Sequence, residues 1–234
     1  MSLAGRLWLA PALARRQLIR LSRRRPVRDR LIDRYAPGRT FADVGCMWGI
    51  HGEVAFLAEA VGASAVTAVD TMGETPEFKA EHERRRSRVR FVNADLHSPE
   101  TVERVGQHEV VWCTGILCVD HVPVLTLRRL RELTSEFLVV DAATLPEVPG
   151  IPQATLFYPG LPDEERRTFA RTNPGLRKSI STPFDPTRAD GSWWWGLTPS
   201  AFRGMLFSVG LEPVEWHDEG FHVTVVARVV EQPS

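Results

Sequence analysis

Five short apolar runs punctuate residues 40–141, and each closes on an acid or a hydroxyl. They are Thr40-Phe-Ala-Asp-Val44, Ala65-Val-Thr-Ala-Val69 before Asp70, Val89-Arg-Phe-Val92 before Asn93-Ala94-Asp95-Leu96, Glu109-Val-Val-Trp-Cys-Thr114, and Phe137-Leu-Val-Val140 before Asp141. Charged or amphipathic stretches at residues 52–61, 76–86, 99–105 and 125–133 separate them. Strand-length runs alternating with helical stretches predict a mostly parallel sheet covered on both faces. Right-handed crossovers deliver every strand's C-terminal end to one edge. Asp43, Asp70, Asp95, Thr114 and Asp141 therefore converge where open α/β sheets bind ligands. One acid at a strand end is a common turn cap; an acid at four ends of five is a pattern.

The first run passes into Gly45-Cys46-Met47-Trp48-Gly49-Ile50-His51-Gly52, and a helix is expected from there to Val61. Glycines allow backbone to approach a ligand, and the N–H groups of a helix start favour a polar or anionic one. Asp70 follows Gly49 by 21 residues. In nucleotide-binding sheets an acid about 20 residues past the glycine turn grips ribose hydroxyls.

The alternation stops after Asp141. Residues 144–195 carry Pro146, Pro149, Pro152, Pro159, Pro162, Pro174, Pro183 and Pro186, with a short helix expected at Asp163–Arg171 and a terminal Ser192-Trp193-Trp194-Trp195-Gly196. A connection of this length suits a lid or binding loop. Thr198 as N-cap, Pro199 at the first helical position and Gly210 beyond the end then frame a helix. Glu212–Trp216 and Phe221–Val230, around Asp218-Glu219-Gly220, predict an antiparallel hairpin. Upstream, residues 6–24 read as an amphipathic helix interrupted near Pro11, and Val27–Tyr35 as a second. The organisation expected is thus a basic N-terminal cap (1–39), a core (40–143 and 196–234) and an inserted lid or substrate segment (144–195).

The 234 residues suffice for one well-packed domain with an insertion. The longest apolar run, Val110–Val119, is too short to span a bilayer as a helix. Cys46, Cys113 and Cys118 form no CxxC pair, which fits a reducing, cytoplasmic setting and argues against structural zinc. Zero net charge conceals an imbalance: residues 1–39 hold eleven Arg, no Lys and only Asp29 and Asp33, a net +9 balanced by −9 elsewhere. A mitochondrial presequence, a helix laid on the protein itself and a face for nucleic acid or a membrane surface are all compatible with that stretch.

These residues resemble the class I S-adenosylmethionine-dependent methyltransferases. Asp43-Val-Gly45-Cys-Met-Trp-Gly49 is similar to their first motif, Asp70 to their ribose-binding acid, Asp95-Leu96 to the pair that holds adenine, and the terminal hairpin to their antiparallel last strands. The resemblance covers residues 37–143 and 196–230. It implies a seven-stranded, mostly parallel Rossmann-like sheet with helices on both faces, an antiparallel C-terminal hairpin, N-terminal cap helices and a long insertion after the fifth strand. Gly49-Ile50-His51 and Gly115-Ile-Leu-Cys118 also resemble the branch of tRNA wobble-uridine carboxymethyl-transferring enzymes and their bacterial small-molecule relatives. In that branch a Tyr holds the unusual cofactor's carboxyl group; Cys118 stands in its place, which favours ordinary S-adenosylmethionine. Met47 replaces the family's middle glycine and needs a conformation open to a residue with a Cβ.

The resemblance implies methyl transfer to a small molecule, with a hydroxyl of a bacterial secondary metabolite as the expected acceptor. RNA methylation and a non-methylating, cofactor-binding scaffold or cyclase are the alternatives. The cofactor set it implies is Asp43, Gly45, Cys46, Met47, Trp48, Gly49, His51, Asp70, Thr71, Asp95, Leu96 and Thr114. His121, in the loop after the fourth strand, is the first candidate for a general base, with Asp120 and Asp141 next. His217 and His222 read as ordinary hairpin residues. Tyr158, Phe157 and Trp193, Trp194 and Trp195 are candidates for a substrate wall or for a small satellite core. No His/Cys cluster has ligand spacing, so no metal is expected.

Overall fold

The computed structural model describes residues 26–172, 193–219 and 222–230. The expected helix at residues 6–24, residues 173–192 of the insertion and Gly220-Phe221 of the hairpin turn lie outside them. The chain divides into residues 1–31 and residues 32–234. The described residues begin at Pro26, and helix α1 (Val27–Tyr35) runs across that boundary; before the boundary, Arg28 Nε donates to Asp29 at 3.0 Å.

The second unit carries the alternation. Its elements are β1 (Thr40–Val44), α2 (Glu53–Ala60), β2 (Ala65–Asp70), α3 (Pro76–Arg85), β3 (Arg90–Asn93), α4 (Glu100–Val105), β4 (His108–Cys113), α5 (Pro123–Leu133) and β5 (Thr134–Ala143). After them come β6 (Thr155–Phe157), α6 (Asp163–Thr172), β7 (Trp195–Leu197), α7 (Pro199–Ser208), β8 (Leu211–Asp218) and β9 (His222–Val229). Seven strands form one sheet in the order β3-β2-β1-β4-β5-β9-β8. β1 to β5 are parallel neighbours, and β9 runs antiparallel to both β5 and β8. The order reverses between β1 and β4, the switch point where such sheets open a crevice.

Strand alternation builds two cores. Ala42, Val44, Val69, Val111, Cys113, Leu138 and Val140 face Leu127 and Leu130 of α5 and Phe202 and Leu206 of α7. Their neighbours along each strand, such as Phe41, Ala68, Val110 and Val139, are equally buried on the other side. There Phe56 of α2 stacks on Phe78 of α3 at 5.0 Å between ring centroids.

β5 is longer than the expected Phe137–Val140. Pairing with β9 continues from Phe137↔Arg228 to Ala143↔His222, so Asp141 sits inside a paired strand near its end. The insertion contains two three-residue strands that its proline-rich sequence does not announce. β6 and β7 pair antiparallel, from Thr155↔Leu197 to Phe157↔Trp195. Among the described residues no helix is long and apolar enough to cross a membrane.

Thr198 joins the insertion to the core. Its Oγ1 accepts the Ala201 N–H at 3.2 Å and donates to the Ala154 carbonyl at 2.9 Å. Thr198→Ala is expected to lower stability by about 1–2 kcal/mol, the upper part of the usual range for a lost N-cap. Thr198→Ser should restore most of it; urea unfolding of the two variants checks this.

Candidate active site

The glycine turn is hydrogen-bonded into the end of β2. The N–H groups of Gly45 and Cys46 donate to the Val69 carbonyl at 2.8 and 3.4 Å, and Gly52 N–H closes the turn on the Cys46 carbonyl at 2.7 Å. The left-handed backbone falls on Gly45 (φ 80°), Gly49 (70°), His51 (48°) and Gly52 (78°). Met47 is not among them. The glycines on either side take the turning, so the Met47 side chain is free to enter the core, where it is fully buried. His51 is the residue with a Cβ that takes the left-handed conformation, and histidine is among the types that do so more readily. Its ring Nδ1 lies 3.1 Å from Thr75 Oγ1 and 3.8 Å from Glu77.

Asp43 has a different place from the one the motif suggests. It is 1% exposed, and its Oδ2 accepts the Ala55 N–H in the first turn of α2 at 3.1 Å. It shapes the turn from inside and satisfies one of the amides that a helix start leaves open. Cys46 is also buried, and burial next to Asp43 and Asp70 pushes its thiol well above the ordinary range. Cys46 and Met47 thus present backbone to the edge while their side chains pack inward. Trp48, by contrast, is 77% exposed at the tip of the turn, so it fills nothing.

Asp70 is the centre of the arrangement. Its Oδ2 accepts the Met47 N–H at 2.7 Å and its Oδ1 accepts the Met72 N–H at 2.8 Å. A carboxylate offers about four lone-pair positions, so about two remain for a ligand's hydroxyls. Asn93 at the end of β3 was not singled out in the sequence. Its Nδ2 lies within hydrogen-bond reach of the carbonyls of Asp70, Thr71 and Met72, at 3.0, 2.9 and 3.0 Å, and so fixes the turn that carries Thr71. Its position directly after an apolar run was the available signal.

The exposed Asp95 accepts the His97 N–H at 2.9 Å, and Leu96 joins the core. Thr114 Oγ1 takes the Trp112 indole N–H at 3.2 Å. Asp120 is committed internally: it accepts from Thr126 Oγ1 and, at 3.1 Å, from Val122 N–H, and it lies 3.4 Å from His97 Nε2. Asp141 is committed too, to Gly115 N–H at 2.6 Å and to His222 Nε2 at 3.0 Å. His121 is exposed, and its ring lies 4.1 Å from that of Trp194.

The aromatic residues divide. Tyr158 and Trp193 are buried with Cys118 and Ala143 in a satellite core, and burial pushes the Tyr158 phenol up to about 12. Trp194 and Trp195 are half-buried and Phe157 is 50% exposed, its ring 5.1 Å from Trp195 and 6.2 Å from Trp194. The loop after β4 carries this strip: the Cys118 carbonyl accepts the Trp194 and Trp195 N–H groups at 2.9 and 3.3 Å. The Trp195 indole N–H donates to the His121 carbonyl at 3.2 Å. Among the described residues, no group of three or more His, Cys, Asp or Glu is placed to hold a metal ion.

No protein-family model matches the sequence, and no curated protein sequence matches it either. Solved structures do match. The 1,6-didemethyltoxoflavin-N1-methyltransferase of Burkholderia thailandensis, with bound 1,6-didemethyltoxoflavin and S-adenosylhomocysteine, aligns with a TM-score of 0.57. The identity is 16%, over 88% of this chain and 79% of that one. An O-methyltransferase family protein from the same organism gives 0.59 at 14% identity, over 86% of this chain and 55% of that one. The magnesium protoporphyrin IX methyltransferase of Synechocystis PCC 6803, with bound S-adenosylmethionine, gives 0.51 at 14% identity, over 87% and 78%. At these TM-scores the chain has the overall fold of these methyltransferase structures, which here takes the form of the seven-stranded sheet β3-β2-β1-β4-β5-β9-β8.

Proposed function

We propose that the chain binds S-adenosylmethionine at the C-terminal edge of β1 to β4 and transfers its methyl group to a small molecule, with a hydroxyl as the accepting group. The observation that carries this reading is the bond from Met47 N–H to Asp70 Oδ2, which makes the glycine turn and the acid of β2 one rigid unit at the switch point. The residues fit the cofactor. Gly49 gives bare backbone at φ 70°, where a Cβ would meet nothing within 4 Å, while Gly45, at φ 80°, turns the chain beneath Ile116. Asp70 keeps acceptor capacity for a ribose diol, and the exposed Asp95 keeps it for an adenine amino group.

When bound, S-adenosylmethionine supplies an electrophilic methyl group on a sulfonium. The chain supplies binding, alignment and electrostatics. Gly45 and Cys46 fix the turn on β2, Gly49 offers backbone to the amino-acid end, and Thr71, Leu96 and Thr114 line the nucleoside side. His121 is assigned the acceptor's proton: Asp120 and Asp141 are both engaged internally, whereas its ring is exposed beside Trp194. Trp194, Trp195 and Phe157 form the substrate wall, and Tyr158 and Trp193 support it from below. The inserted segment 144–195 is assigned to the substrate side of the site.

The finer assignment is to the bacterial small-molecule relatives of the wobble-uridine branch, working in the cytoplasm, where three buried free thiols suit a reducing medium. The +9 charge of residues 1–39 favours RNA as the second reading; a strongly salt-dependent affinity for tRNA would support it.

Calorimetric titration with S-adenosylhomocysteine should show one saturable site per chain, and no binding would defeat the proposal. With an acceptor found by screening hydroxylated aromatics for S-adenosylhomocysteine release, His121→Ala should lower kcat by about 10²–10⁴-fold with cofactor affinity unchanged. A wild-type rate would remove His121 from the mechanism.

A further inference from the structure

We propose that His222 and Asp141 form a positioning pair for the cofactor site, one that holds the loop after β4 against the glycine turn and loosens it as the pH rises. This rests on the reading that the edge binds S-adenosylmethionine.

The buried Asp141 carboxylate divides its oxygens between two elements. Oδ1 accepts the N–H of Gly115, the glycine of the loop after β4, at 2.6 Å. Oδ2 lies 3.0 Å from Nε2 of His222, the first residue of β9. His222 stands opposite Ala143 in the β5–β9 register, so Asp141 is its diagonal neighbour on the same face. Gly115 turns at φ 77°, and the next residue lies over the glycine turn: a Cβ placed on Gly45 would come within 2.5 Å of Ile116 Cδ1. Further along, Cys118 holds Trp194 and Trp195. One carboxylate thus ties the hairpin to the loop, and the loop touches both the turn and the aromatic strip.

The surrounding charges all favour the imidazolium. Asp141 faces it from β5, and Glu219 at the hairpin turn lies 3.9 Å from Nδ1. Cys113 on β4 and Cys118 in the loop feel the same carboxylate and stay neutral. Burial and Asp141 push Cys113 well above the thiol range and Cys118 up to about 12, and Asp43, Asp70 and Asp120 act on Cys113 in the same sense. The hydrogen bond to Asp141 holds His222 above the ordinary histidine range, against the opposing effect of burial. A group raised in the folded state contributes fully below its unfolded value of ~6.5 and loses that contribution as the pH climbs through the raised one. Deprotonation removes the positive charge and leaves a neutral imidazole N–H on the Asp141 carboxylate, a weaker tie than the ion pair.

An NMR titration of the protein without ligand tests the pair. The His222 ring and the Gly115 amide proton should move with one shared midpoint above the ordinary value of ~6.5. In His222→Gln, which retains an amide donor, the Gly115 resonance should no longer follow that midpoint, and in Asp141→Asn the ring should return toward the ordinary range. An ordinary midpoint in the wild type, or a Gly115 amide indifferent to His222, overturns the pair. With S-adenosylhomocysteine as probe, the wild-type Kd should weaken by a few-fold, on the order of a fraction of one charge-assisted bond, between about pH 6 and about pH 8, and that of His222→Gln should stay level. A level wild-type Kd overturns the coupling to the cofactor site. Absence of binding at both pH values instead defeats the cofactor reading, and the amide titration still decides the pair.

Discussion

Asp70→Ala is expected to remove measurable S-adenosylhomocysteine binding and to loosen the turn that would receive it. The side chain has two jobs in one geometry. Inward, it accepts the buried Met47 N–H and the Met72 N–H at 2.7 and 2.8 Å. Losing the acceptor of the buried Met47 amide costs about 1–3 kcal/mol, whereas the amide of the exposed Met72 can turn to water. Outward, its remaining lone pairs are assigned to the ribose diol. Hydrogen bonds to a charged group contribute about 1.5–3 kcal/mol each, so losing the diol contacts and the turn's order together should weaken affinity by at least about 100-fold. Asp70→Asn keeps one acceptor oxygen and should fall between wild type and alanine. Calorimetry on the three proteins, with thermal unfolding alongside, separates the two jobs. Unchanged affinity in the alanine variant would contradict the ribose assignment outright.

Gly52→Ala is expected to destabilise the fold by about 2–5 kcal/mol without touching any group assigned to chemistry. Gly52 caps α2 at φ 78° and ψ 13°, a left-handed conformation that costs a residue with a Cβ roughly 1–2 kcal/mol. The added carbon would also lie 2.4 Å from Cδ2 and 2.6 Å from Cε2 of Phe78, a ring that is fully buried against Phe56. Overpacking of that kind costs about 1–3 kcal/mol more. Gly49→Ala is the comparison: its φ of 70° is similar, but its Cβ would meet nothing within 4 Å. Guanidinium unfolding should show a clearly larger midpoint shift for Gly52→Ala. Equal shifts would mean that the Phe78 ring yields freely.

Much of the parallel half of the fold is legible because its signals are local. A strand, the acid that ends it and the helix that follows lie within one stretch of chain, and the crossover rule carries each end to the same edge. Asp70 was readable for that reason. Met47 was harder: the sequence shows a residue with a Cβ where a glycine is usual, but not that the left-handed angles fall on Gly45, Gly49, His51 and Gly52 instead. Contacts set by register between distant strands were not legible. Nothing in the chain announces that His222 lies diagonal to Asp141, since this depends on where β9 starts along β5. β6 and β7 escaped for a related reason, being three residues each with no periodicity and pairing across a long separation. The three consecutive tryptophans show the limit from the other side. Composition marks them as important, but only packing separates Trp193, buried with Tyr158, from Trp194 beside His121.

The small β6–β7 sheet has a consequence for how such a chain can change. Leu145 N–H donates to the Leu197 carbonyl at 2.8 Å, and Thr144 bridges the same residue. The two ends of the stretch between Leu145 and Leu197 are therefore fastened to each other. A segment whose ends are already fastened together can gain or lose residues at small entropic expense, because closure depends only logarithmically on length. Length is therefore the property of this segment that can drift most easily, while the strands, the turn and Asp70 stay where they are.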